Sequence, residues 1–129
     1  RVGEHSSTFG GNPLACAAGT ATIDSLNDDK LVENAADVGS YFKDGLLKLK
    51  EKHRIVRDVR GLGMMLALEL RFDVRNLLLD GIRHGLLMLY SGKNVIRLLP
   101  PLLMDKETVS EALEIMDELI SEEEKRRVV

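Results

Sequence analysis

The sequence predicts an α+β domain: a small, mainly antiparallel sheet with helices packed on one side. Three observations lead there. Apolar residues in the first and last thirds recur with a helical period. The middle third breaks into short apolar runs separated by glycine turns and by a proline pair, Pro100-Pro101. The order of elements along the chain is helix, helix, strands, helix, strands, helix.

Residues 3–11 hold three glycines and several hydroxyls and read as loop. Asn12 and Pro13 then open a helix, since Asn caps well and Pro suits the first helical position. Residues 14–26 form this Ala-rich first helix, on which Cys16 is expected to pack as a small apolar residue. The "NDD" of residues 27–29 ends it. A second helix is predicted over 30–52, with Leu31, Ala35, Val38, Phe42, Leu46 and Leu49 near one face. Lys30, Lys43, Lys48, Lys50 and Lys52 fall on its solvent side.

Ile55, Val56 and Val59 suggest a short strand, and "RGLG" (60–63) a tight hairpin. Residues 64–70 are apolar enough for a buried strand, although they alternate poorly. Asp73 is placed as the cap of a third helix over 74–84, ended by Gly85. Residues 86–90 read as a strand, "SGKN" as a turn, and "VIRLLPP" as a strand stopped by the prolines. Asp105 caps a last helix, 106 to about 124, whose stripe is Val109, Leu113, Met116 and Ile120. The "EEEKRR" end reads as a fraying terminus.

The chain has 129 residues, 44% hydrophobic and 30% charged, which suits one core with a solvated surface. Its net charge of -3, with bases and acids intermixed, carries no electrostatic footprint for nucleic acid. A single cysteine rules out an intrachain disulfide and a cysteine zinc cluster. No apolar run has the length of a membrane span. The first residues lack a signal-peptide layout, and a cytoplasmic setting is the expectation. His5, His53 and His84 stand far apart without metal spacing, so no metal is expected. His53 and His84 sit near helix ends, where a positive imidazole suits the dipole.

Two places have residue types suited to anions. Ser6, Ser7, Thr8, Gly10 and Gly11 cluster hydroxyls and backbone N–H groups before a helix, an arrangement able to hold a phosphate. Taken alone, composition favours a plain polar turn before a capped helix. Arg97 lies among apolar neighbours on a predicted strand, and its fork matches a carboxylate. A structural ion pair with Asp or Glu, or an outward-facing side chain on an edge strand, accounts for it as well. No nucleophile–base pair is visible, and no lysine stands in a catalytic setting.

"GEHSSTFGGNPLACAA" (3–18), "VRDVRGLGMMLALEL" (56–70) and "NVIRLLPPL" (94–102) occur in this order. With them the chain resembles the C-terminal part of a class III, pyridoxal-phosphate-dependent aminotransferase, most closely the acetylornithine group. The resemblance spans essentially the whole chain. It implies fold type I, with residues 1–26 ending the large domain, 27–54 a connecting helix and 55–129 the small domain. It implies that Thr8, with Ser7 beside it, binds the cofactor phosphate from the neighbouring subunit of a homodimer. The backbone at Phe9 and Gly10 would shape that loop. Arg97 corresponds to the arginine that clamps the substrate carboxylate.

The family's Schiff-base lysine lies upstream of the Ser-Thr motif. The chain therefore looks like a fragment, one that needs the missing large domain and is inactive alone. The implied reaction is ping-pong transfer of an amino group from N-acetylornithine to 2-oxoglutarate. Ornithine, lysine-pathway and 4-aminobutyrate aminotransferases, or a racemase on the same scaffold, are the alternatives within the class. A non-catalytic interaction domain is the alternative outside it.

Overall fold

The structure is a computed structural model that describes residues 5–127. The chain forms two compact units, residues 1–32 and 33–129. Helix α1 (Pro13–Asp28) makes up most of the described part of the first. Asn12 closes its start in both directions. Its Oδ1 accepts from the Ala15 N–H at 2.9 Å, and its Nδ2 donates to the Phe9 carbonyl at 2.7 Å. Pro13 takes the first helical position, as expected. The helix buries none of its residues, so Cys16 is exposed rather than packed.

The second unit holds α2 (Leu31–Lys52) from residue 33 onward, then β1 (Val56–Leu62), β2 (Met65–Leu70), α3 (Arg75–Arg83), β3 (Leu89–Ser91), β4 (Val95–Leu98) and α4 (Lys106–Arg127). The four strands form one antiparallel sheet in the order β1-β2-β4-β3. The class is thus the α+β one predicted, with four helices among the described residues.

Residues 64–70 are expected to alternate poorly, yet the strand alternates strictly. Leu66, Leu68 and Leu70 are buried, while Met65, Ala67 and Glu69 face the other way. The alternation is hidden in the sequence because two of the three outward residues, Met65 and Ala67, are themselves apolar. Ile96 and Leu98 of β4 continue the buried face, paired with Leu68 and Leu66. Val38, Phe42, Leu46 and Leu49 of α2 and Val109, Met116, Leu119 and Ile120 of α4 complete the same core. The opposite face of the sheet is open: Leu62 is 90% exposed and Met65 62%.

Two glycines allow the hairpin to dock. Gly63 opens the two-residue loop between β1 and β2 with φ +54, a value side chains rarely adopt. Gly39 of α2 lies directly against it, and a Cβ there would fall inside the Gly63 carbonyl.

Three expectations are corrected. Helix α3 begins at Arg75, one residue late, because Val74 is fully buried and held in the core. Asp73 still serves the helix start, accepting from the Arg75 N–H at 2.9 Å. The strand expected over 86–90 shrinks to Leu89–Ser91, since Leu87 has no core to enter and is 81% exposed. The expected fraying end stays helical to Arg127, because Glu123 is buried and bonded by Arg127 Nε at 2.6 Å. Lys50 and Lys52 stand on the solvent side of α2 as expected, where they pair with Asp58 at 3.0 Å and Asp117 at 2.5 Å.

Candidate active-site residues

Ser7 and Thr8 stand in an exposed turn just before α1. The Gly10 N–H closes the turn on the Ser7 carbonyl at 3.3 Å. Gly11 then takes φ +78, turning the chain toward the helix. With Asn12 fastened to both Phe9 and Ala15, this turn is tied to the helix start. Among the described residues no partner occupies the Ser6, Ser7 or Thr8 hydroxyls. Backbone N–H groups at a helix start carry the positive end of its dipole, which suits an anion.

Arg97 lies on β4, in the second unit, on the open face of the sheet. Its cross-strand row reads Arg60, Ala67, Arg97, Leu89 from β1 to β3. The side chain is exposed on an interior strand of the sheet, so the edge-strand explanation does not apply to it. It has no ion-pair partner among the described residues. The carboxylate in the adjacent row, Glu69, is already taken by Arg60 at 2.7 Å and Arg57 at 3.1 Å. The Arg60 bond lowers the Glu69 carboxyl below the usual range against some burial. Ala67, the smallest side chain in the row, leaves the ground beside Arg97 open.

The turn with Ser7 and Thr8 belongs to the first unit and Arg97 to the second. Sequence reasoning missed what holds the second unit rigid. Asn34 of α2 donates to the Leu102 and Met104 carbonyls at 2.7 and 3.1 Å, gripping the chain just past β4. His53 was expected only to suit a helix dipole. It is in fact buried, with Nε2 2.6 Å from Asp117 and Nδ1 3.1 Å from Glu124. Neither contact has a local signal, since each spans more than sixty residues. The described residues contain no group of three or more His, Cys, Asp or Glu placed to hold a metal. None of their helices is long and apolar enough to cross a membrane.

With this geometry in place, residues 1–120 match the family model "Aminotransferase class-III". The chain belongs to that family. It is 42% identical, over 95% of its length, to the acetylornithine aminotransferase of Caldanaerobacter subterraneus subsp. tengcongensis, and covers 31% of that protein. Among solved structures, acetylornithine aminotransferase from Elizabethkingia anophelis matches with a TM-score of 0.84 and 38% identity, over 95% of this chain and 32% of that one. The Plasmodium falciparum ornithine δ-aminotransferase matches with a TM-score of 0.89 and 33% identity, over 98% and 34%. The chain thus spans about a third of the length of the relatives it matches.

Proposed function

We propose that the polypeptide containing this chain transfers the amino group of N-acetylornithine to 2-oxoglutarate by ping-pong chemistry, with pyridoxal 5'-phosphate as cofactor. The carrying observation is that two anion-suited places coexist in a class-III aminotransferase chain: a hydroxyl turn and an exposed arginine, each without a partner among the described residues. The 42% identity to a protein named acetylornithine aminotransferase supports the choice of substrate.

The family is pyridoxal-phosphate-dependent, and the residues here fit the cofactor's phosphate. Exposed hydroxyls with no partner among the described residues, in a turn tied to a helix start, supply donors where a dianion needs them. Ser7 and Thr8 would hold that phosphate, Thr8 from across a homodimer. When bound, the cofactor supplies an electron sink for the carbon that loses its proton. Arg97 clamps the substrate α-carboxylate with its fork, and so fixes which bond of the substrate is presented. Proton transfer falls to the Schiff-base lysine, which the resemblance assigns to the large domain. On this reading the activity is cytoplasmic and dimeric.

A second reading, an ornithine aminotransferase, is favoured by the P. falciparum match. Steady-state kinetics of the full-length polypeptide with N-acetylornithine and with ornithine, each against 2-oxoglutarate, separate the two. A higher kcat/KM for N-acetylornithine is expected. A preference for ornithine would transfer the proposal to the second reading, and no turnover of either would end both.

A further inference from the structure

A cavity of about 670 Å³ opens between the end of α2, the start of β1 and the residue after β2. It contains neither Ser7, Thr8 nor Arg97. Its cationic lining is Lys50, Arg54, Arg57 and Arg71, against the single carboxylate of Glu124. That is four positive groups and one negative in a chain whose net charge is -3. Glu124 does little to neutralise them, because its oxygens already face His53 Nδ1 at 3.1 Å and the Ile55 N–H at 3.3 Å.

Two of the cations have local partners: Lys50 pairs with Asp58 and Arg57 with Glu69. The other two do not. Arg71 spends its Nε on the Arg54 carbonyl at 2.9 Å, which fixes the direction of its fork. Its terminal nitrogens and the whole Arg54 guanidinium have no acceptor among the described residues. Two forks beside one space, neither neutralised by a carboxylate among the described residues, repel one another, and an anion between them relieves that. Several oxygens at once satisfy them best, which a phosphate offers. The volume falls in the range of small-molecule sites, about 300–1,000 Å³.

We propose that this cavity is a second anion site, one that binds a multivalent phosphate through Arg54 and Arg71. The test is calorimetric titration of pyrophosphate into the full-length polypeptide, saturated with pyridoxal phosphate and held at constant ionic strength with potassium chloride. The expected result is one saturable site per chain. Its affinity should fall about tenfold or more in Arg54→Gln and in Arg71→Gln. It should be unchanged in Lys106→Gln, at the opposite end of α4. Arg54 makes no side-chain bond among the described residues, so its variant isolates binding even if Arg71→Gln disturbs the local fold. Absence of saturable binding, or an affinity unchanged from the parent in both arginine variants, would overturn the proposal. Citrate binding as tightly as pyrophosphate would overturn its phosphate selectivity.

Discussion

Removing the Arg97 guanidinium should separate activity from stability. The side chain is exposed on the open sheet face and pairs with no described carboxylate, while Ala67 and Leu89 keep its backbone registered. Arg97→Ala should therefore change stability by no more than about 0.5 kcal/mol, the usual range for a surface site. A carboxylate stripped of its charged partner in a closed site loses on the order of 2–5 kcal/mol. At about 1.36 kcal/mol per decade, that is roughly a 30- to 5,000-fold fall in kcat/KM. Arg97→Lys keeps the charge but not the fork, and should fall between. The assay is kcat/KM of the full-length polypeptide for N-acetylornithine and for 2-oxoglutarate, beside a thermal melt. A kcat/KM within threefold of the parent would refute the carboxylate role. A large loss of stability would show that the open, unpaired reading of Arg97 is wrong.

Other perturbations test other parts. Thr8→Ala in the full-length polypeptide should accelerate loss of pyridoxal phosphate on dialysis, and an unchanged dissociation rate would count against the phosphate turn. Gly39→Ala forces a methyl into the Gly63 carbonyl, which is backbone and cannot rotate away. It should cost about 1–3 kcal/mol, read as a lowered melting temperature; an unaffected melt would mean α2 does not press on the hairpin as described. His53 is bonded to two carboxylates, Asp117 and Glu124, so His53→Gln gives up charge-assisted bonds and should cost about 1.5–3 kcal/mol.

The same cluster sets a pH dependence. The bond from His53 holds the Glu124 carboxyl below its ordinary range, with burial opposing. For Asp117 burial pushes upward, but the bonds from His53 and Lys52 prevail and the net shift is down. Both groups thus contribute stability that is present above their unfolded values, about 4, and lost as pH falls through the lower folded ones. The gap in melting temperature between the parent and His53→Gln should close on acidification below about pH 4. A gap that stays constant to lower pH would contradict it.

The parts of the fold that were legible in the sequence were those with local causes. Asn12-Pro13 marked the start of α1, and Asp105, whose Oδ1 accepts from the Thr108 N–H at 2.8 Å, marked α4. The stripe of α2 was legible because Val38, Phe42, Leu46 and Leu49 all point to one core. What stayed hidden depends on distant partners or on an open surface. The pattern of β2 was masked by Met65 and Ala67, apolar residues on a face that the described chain leaves uncovered. The Asn34 grip and the His53 clamp pair residues far apart in sequence. For the site, residue types alone favoured a plain polar turn for Ser7 and Thr8 and left Arg97 evenly poised between function and structure. The ordered motifs raised them to candidates, and the structure adds that all three are exposed and without described partners.

The most direct test is an absorption spectrum of the full-length polypeptide, purified with cofactor present. The account predicts a bound pyridoxal band that is bleached by N-acetylornithine alone and restored by 2-oxoglutarate alone. A polypeptide that retains no cofactor, or whose band answers to neither compound, would contradict it.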